Sequence, residues 1–305
     1  MVAPEVGHSK ISIIILNWNG KQWLEDCLTS ILHQDVNEPI EVLLVDNGST
    51  DDSVQYVKER FSRVRVIELG KNYGFAEGNN RGLKYTQGEH VIFVNMDTKA
   101  ENGWLKNLLR AAHQYPSYQI LCSIQLPAQA ENRVMSLNSC GVVTVTPQES
   151  HQPITSSLFA SGACFLIRRE WVEKLGYLFD PYYFCNAEDV ETSLRTILMG
   201  GLVGYVRDSR IHHHVGGAQF PSFWTFRFRT RNLLLTYYKL FEPKNFARML
   251  LAHFVYIAAG LVASPRTAKT LGMIKGLVDF FTCFRRYETY RRRFIQKKKR
   301  RDEYV

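Results

Sequence analysis

Four short apolar segments near the start of the chain, residues 11–16, 41–45, 64–67 and 90–94, are each followed within a few residues by small polar side chains. After the first come Asn17-Trp18-Asn19-Gly20, and after the second Asp46-Asn47-Gly48-Ser49-Thr50-Asp51. Lys71-Asn72-Tyr73-Gly74-Phe75 follow the third, and Asn95-Met96-Asp97-Thr98 the fourth. Stretches of helical periodicity lie between them. Residues 21–34 place Trp23, Leu24, Cys27, Leu28, Ile31 and Leu32 on one face, and residues 51–61, 78–86 and 103–114 read as further helices. Ser49 or Thr50 is the expected N-cap of the second. This alternation predicts right-handed βαβ units and a mainly parallel sheet. Ligands of such sheets bind at the carboxyl ends of the strands. Asn, Asp and Gly also make ordinary turns, which accounts for any one of these segments. Four in succession predict one shared site.

The remainder of the chain bounds its class. With 305 residues, 45% of them hydrophobic, there is apolar area for one large domain or a domain with an appendage, and too much for a disordered chain. Six scattered cysteines without a CxxC pair disfavour a disulfide framework or zinc ribbon and fit reduced thiols in a cytosolic protein. Residues 1–10 are polar, and 11–16 are too short for the core of a signal peptide. Residues 163–167 read as a strand, 168–175 and 188–199 as helices, 202–207 and 210–214 as strands, and 127–132 and 147–157 as loops. Residues 220–241 hold eight aromatics among basic residues. The apolar run 249–263 is shorter than the ~20 residues of a bilayer span, so a buried or interface-lying helix is expected. The formal charge of +9 equals the net charge of residues 284–301, ten basic residues against Glu288. The rest is neutral, and a nucleic-acid partner, which would rest on that tail alone, is not expected.

No GxGxxG and no GxxxxGK(S/T) is present, which disfavours a dinucleotide fold and a P-loop. Phosphate must be neutralised otherwise. A carboxylate at a strand end can hold Mg2+ or Mn2+, and Asp97 is the candidate. Glu188-Asp189 open a helix after the aromatic loop 182–186. Acids there are good caps, and a carboxylate there can equally be a general base. In His212-His213-His214, alternation puts His212 and His214 on one face and His213 on the other. One imidazole becomes a metal ligand or phosphate donor if Asp97 holds a metal.

The segments ISIIILNWNGKQWLEDCLTSIL, EVLLVDNGSTDDS, NYGFAEGNNRGL, VIFVNMDT, SGACFLIRREWVEKLGYLFDPYYF, AEDVETSLRTILMGG and HHHVGG followed by RTRNLLL, in this order, resemble the family-2 inverting glycosyltransferases of the GT-A fold. Within them the chain looks most like the bacterial rhamnosyltransferase branch that builds cell-surface polysaccharides. The resemblance covers roughly residues 10–240. It implies an α/β GT-A domain over residues 1–240, with a Rossmann-like, mainly parallel sheet, and a helical, aromatic and basic membrane-associating extension over 241–305.

The resemblance also implies roles. Asn17, Asp46 and Asn47 would hold the base and ribose, and Asn80 would lie near the sugar or diphosphate. Asn95-Met96-Asp97 stand where the family has DxD, Asp97 being the metal ligand. Asp189, beside Glu188, would be the catalytic base. His214 would touch the metal or diphosphate, and Arg231 would neutralise phosphate. Asn95 replaces the first acid of DxD, and Asn47 stands where many members carry Asp. An Asn amide both donates and accepts, whereas ionised Asp only accepts. The implied cofactor is Mn2+ or Mg2+. The implied donor is a nucleotide-diphospho-sugar, dTDP-rhamnose being one candidate, and the acceptor a lipid-linked or polysaccharide glycan hydroxyl. The enzyme would be cytoplasmic, peripheral at the anionic inner face of the cell membrane. A nucleotidyltransferase is poorly matched by Asn17-Trp18-Asn19-Gly20-Lys21, where a basic Gly-rich loop is wanted. A membrane-docked sugar-nucleotide-binding module without catalysis is opposed by the intact Asp97 and Glu188-Asp189.

Overall fold

The computed structural model describes residues 11–126, 133–137, 143–147, 152–214, 222–263 and 266–302, with side chains through 126, from 152, and up to Gln296 in the last helix. The loop expected at 127–132 and the glycines after His214 lie outside the described residues. Strands β1 (Ile11–Asn17), β2 (Ile40–Asp46), β3 (Val64–Glu68) and β4 (His90–Asn95) are parallel, in the spatial order β3-β2-β1-β4. Between and behind them run helices α1 (Lys21–Leu32), α2 (Ser53–Arg60) and α3 (Gly74–Leu83). The path then continues through β10 (Cys164–Arg168), β6 (Tyr118–Leu126), β11 (Leu202–His213) and β5 (Thr98–Ala100), while β9 (Ile154–Ser156) pairs with β11. A separate hairpin joins β7 (Arg133–Leu137) and β8 (Val143–Pro147).

The βαβ half follows the sequence expectation. Ile11, Ile13, Ile14 and Ile15 are fully buried because both faces of β1 are covered. Ile11, Ile13 and Ile15 face α1 and α4 (Trp104–Gln114), whereas Ile14 faces the opposite layer with Phe93 and Phe165. The sheet is mostly parallel, as expected, with β10 antiparallel between β4 and β6 and β5 antiparallel to β11. Two details depart from expectation. The two strands read at 202–214 are one strand with a bulge between Val206 and Arg210. α2 starts at Ser53, with no side-chain cap, because the Ser49 hydroxyl is engaged elsewhere, by Asn17 Nδ2 (3.0 Å) and the Asn19 N–H (2.9 Å).

The second layer is built from α5 (Arg169–Leu175), α6 (Glu188–Leu198) and the C-terminal helices α7 (Ser222–Leu240), α8 (Pro243–Ala263), α9 (Ala268–Cys283) and α10 (Glu288–Asp302). Leu234, Leu235, Tyr238 and Phe280 join Phe93, Phe165 and Phe179 in one core, so α7 and α9 cover the sheet. Glycines permit the close α7–α9 crossing. A Cβ at Gly272 would stand 2.4 Å from the Phe223 carbonyl, and one at Gly276 2.4 Å from that of Arg227. α8 behaves differently. Only its Met249 and Ile257 are buried, so the buried alternative for residues 249–263 does not hold. Leu251 is 65%, Val255 62% and Val262 88% exposed.

Candidate active site

β1 and β4 are adjacent although β2 and β3 intervene in sequence, so their carboxyl ends mark a reversal of strand order. A cavity of about 110 Å³ opens there, lined among others by Trp18, Asn47, Asn72, Phe75, Asn95 and Asp97. All four strand ends contribute to it.

Much of the polar text at the strand ends builds the walls. Asp46 Oδ2 accepts from the Gly48 and Ser49 N–H groups (3.1 Å each), and its Oδ1 accepts from Asn17 Nδ2 (3.1 Å). Asn17 Oδ1 is buried without a partner among the described residues. Asn47 donates to Asn72 Oδ1 and the Gly74 carbonyl (3.1 Å each) and accepts from the Tyr73 N–H (2.9 Å). Its amide thus uses both polarities, toward the loop after β3. Asn95 lies at the cavity, its carbonyl accepting from Thr98 Oγ1 (2.7 Å) and its N–H donating to the Ala163 carbonyl (2.9 Å).

Asp97 is buried, and its Oδ1 lies 3.3 Å from His213 Nε2. His213 Nδ1 is in turn 3.2 Å from Gln125 Oε1. The β11–β5 register sets His213 opposite Thr98, next to Asp97. The structure therefore brings His213 to Asp97. The His214 ring stacks on Trp23 (4.8 Å), and only its N–H touches Asp97, donating to the carbonyl (2.9 Å). Alternation along β11 separates the two histidines, but the partner strand that decides between them is the three-residue β5.

Glu188 and Asp189 begin α6. The Gly162 and Val190 N–H groups donate to the Asp189 carboxylate (3.0 and 2.8 Å). A Cβ at Gly162 would lie 3.4 Å from Asp189 Oδ2 and 3.7 Å from the Phe75 ring, so Asp189 stands behind Phe75, which lines the cavity, rather than lining it directly. Burial raises the Asp189 carboxyl, against the lowering effect of those N–H groups and of the Arg229 charge. Burial, and secondarily Asp189, pushes Glu188 up to about 8, and its Oε2 has no partner among the described residues. Burial thus favours a proton on Glu188, while the two N–H groups favour the charged form of Asp189.

Two expected residues stand apart from the cavity. Asn80 clamps Phe179, donating to its carbonyl (2.8 Å) and accepting from its N–H (3.1 Å). Arg231 is buried and donates to the Tyr182 and Tyr183 carbonyls (3.1 Å each) and to Asn232 Oδ1 (2.9 Å), so its charge fixes the aromatic loop before α6. The sequence reading missed the ionic cluster that anchors α6. Lys239 Nζ lies 2.7 Å from Asp180 and 2.8 Å from Glu191, and Arg195 lies 3.1 Å from Glu191, with all four groups buried. Tyr287 donates to Asp180 (3.1 Å), and the rings of Tyr287 and Tyr290 cover Lys239. Long sequence separations hid this cluster.

The profile of Glycosyl transferase family 2 matches residues 12–176. An N-acetylglucosaminyl-diphospho-decaprenol L-rhamnosyltransferase of Mycobacterium tuberculosis is 28% identical over 234 residues, 67% of this chain and 76% of that protein. Among solved structures, GalNAc-T7 with UDP, GalNAc and Mn2+ superimposes with a TM-score of 0.67 at 16% identity, covering 94% of this chain and 57% of that one. The Pyrobaculum calidifontis mannosyltransferase PcManGT with GDP-Man and Mn2+ gives 0.59 at 20%, covering 96% and 87%. These neighbours share the GT-A architecture. The profile runs from β1 to the end of α5, through every strand end that lines the cavity, and the chain belongs to glycosyl transferase family 2 and is a glycosyltransferase.

Proposed function

We propose that the protein transfers a sugar, with inversion at the anomeric carbon, from a nucleoside-diphosphate sugar to a hydroxyl of a lipid-linked glycan at a membrane face. The observation that supports this reading is a strand-end cavity lined by Asp97, which His213 approaches to 3.3 Å, with Asp189 close behind the Phe75 wall. The M. tuberculosis relative supports a lipid-linked acceptor and a rhamnosyl donor, and S. aureus TarS, solved with UDP-GlcNAc, supports nucleotide-sugar binding.

Asp97 Oδ1 and His213 Nε2 are one hard oxygen and one imidazole, and no group of three or more His, Cys, Asp or Glu gathers among the described residues. A donor set this small fits a divalent ion that takes its other ligands from diphosphate and water. Mn2+ or Mg2+ held there would offset charge on the departing diphosphate. The Mn2+ in the GalNAc-T7 and PcManGT structures supports such an ion. The chain supplies the rest. Asp189 accepts the proton of the acceptor hydroxyl. The hydroxyl oxygen bonds to the anomeric carbon while the bond to the diphosphate oxygen breaks, its electron pair leaving with the nucleoside diphosphate. The Gly162 and Val190 N–H groups hold the carboxylate in place, and the neutral Glu188 spares it a second negative charge.

The membrane part of the reading rests on α8. Among the described residues it is the one helix long and apolar enough to cross a membrane, with a mean hydropathy of 1.7. Its exposed apolar face and the basic residues of 284–301 suit an anionic surface on which the protein lies peripherally at the cytoplasmic side.

The test is release of nucleoside diphosphate from a panel of sugar nucleotides, with and without a polyprenyl-diphosphate GlcNAc acceptor, in Mn2+ and in excess EDTA. Acceptor-dependent release that stops in EDTA and returns with metal is expected. No release from any donor would defeat the catalytic reading, and full activity in chelator would defeat the metal.

A further inference from the structure

Three arginines on α7 face different fates. Arg227 is held by Asp279 (2.5 Å). Arg231 is engaged by main-chain carbonyls. Arg229, exposed, makes no hydrogen bond or ion pair with any described residue. It stands at a cavity of about 230 Å³ between α7, α8 and α9. Leu233, Tyr237, Ile257 and Met273 form its buried floor, with His253 partly buried beside them. At the mouth, Lys269 Nζ, exposed and likewise without an ion pair among the described residues, lies over the rings of Phe226 (5.3 Å) and Tyr256 (5.5 Å). Two cations that make no ion pair among the described residues thus flank an apolar hole.

The position of this hole is informative. Leu233 and Tyr237 share a hydrophobic cluster with Ala187 and Val190, which bracket Glu188-Asp189. The Arg229 charge acts on Asp189, Tyr237 and His253 together. On the opposite side the cavity adjoins Tyr256 of the exposed α8 face, where Val255 and Leu251 point outward. The cavity therefore lies near Glu188-Asp189 and opens along an apolar surface.

We propose that this cleft is the acceptor subsite, in which the phosphate of a lipid phosphate or diphosphate sits between Arg229 and Lys269 while the first carbons of its chain fill the floor. The inference rests on the lipid-linked acceptor reading and gives it an address. The cavity is too small for a long polyprenyl chain, whose remainder runs along α8. A phosphate anchored at Arg229 directs the attached sugar toward Asp189.

The probe is farnesyl diphosphate, titrated calorimetrically into the full chain in EDTA, with inorganic diphosphate and farnesol as the two halves of the ligand. Farnesyl diphosphate should bind more tightly than either half. Arg229→Gln, at an exposed site that the fold does not need, should weaken it about tenfold, the loss of one charge-assisted contact. Ala252→Trp, which fills the cleft, should remove the advantage of the lipid over inorganic diphosphate, and neither change should alter nucleoside-diphosphate binding at the strand ends. Lys269→Gln provides a second surface variant and should weaken binding in the same direction. Unchanged farnesyl diphosphate affinity in all three variants would overturn the assignment. So would full displacement of the probe by nucleoside diphosphate, which would put it in the donor site, or by phosphatidylglycerol micelles, which would give the cleft to bulk headgroups. The broader reading fails separately. If the probe binds as described but no sugar is transferred to any lipid acceptor, the activity falls and the subsite stands.

Discussion

A carboxylate that must take a proton from a hydroxyl needs to be ionised yet poorly solvated. At Asp189 two N–H groups favour the charged carboxylate while burial opposes it, and burial favours a proton on its neighbour Glu188. Asp189→Asn preserves shape and removes basicity. Transfer should fall by about 10²-fold or more with donor affinity little changed, measured as kcat against nucleotide-sugar binding. Near-normal turnover would remove Asp189 from the role. Glu188 carries a different signature. Its carboxyl moves from 4.5 to about 8 on folding, so the folded state binds a proton that the unfolded chain releases. Stability should therefore decline as pH rises from about 4.5 to about 8 and then level off. Glu188→Gln should flatten that decline in thermal melts between about pH 5 and 9, and an unaltered slope would refute the buried-proton account. Asp97 and Asp189 were legible as candidates from their positions at a strand end and a helix start, although acids there also serve turns and caps. His213 was not, because its choice over His214 depends on pairing with Thr98 across more than a hundred residues. Asn80 and Arg231 misled because an amide or guanidinium that binds backbone carries the same letter as one that binds ligand.

Helical periodicity located α1, α4, α5 and α6 to within a few residues, since one buried face leaves a pattern in the sequence. It could not show that β10 enters the sheet antiparallel, because a strand buried on both faces reads the same in either direction. Nor could it show why α6 stays in place. Breaking a buried ion cluster by removing one partner leaves the others charged and desolvated. Lys239→Met should cost about 3–5 kcal/mol in denaturant unfolding, from stranding Asp180 and Glu191. A change within error would show that the cluster contributes nothing to holding the base helix. The same cluster warns against deleting the basic tail to test its charge. A chain ending at Cys283 would also lose Tyr287, Tyr290 and the buried Phe294.

At the scale of the molecule, the strand-end cavity and the exposed α8 face are built from different residues, so surface binding and chemistry can be probed by separate substitutions. Vesicle sedimentation should resolve two components. Replacing Leu251, Val255 and Val262 by Ser should abolish the binding that persists at high salt, since that part is apolar. Replacing the exposed Arg285, Arg286, Arg292 and Arg293 by Gln should abolish the increment seen only at low salt with anionic lipid. If neither set changes sedimentation, the peripheral-membrane reading fails. The aromatic cover over Lys239 has a consequence in time as well as in space. Tyr287 and Tyr290 leave the ribosome long after the sheet, yet they close the enclosure that seats the helix of Glu188 and Asp189. A nascent chain can thus shape its strand-end cavity first and seat the helix of Glu188 and Asp189 firmly only as its last helix arrives; under the proposed mechanism, a half-made chain would be poorly equipped to squander its donor on water.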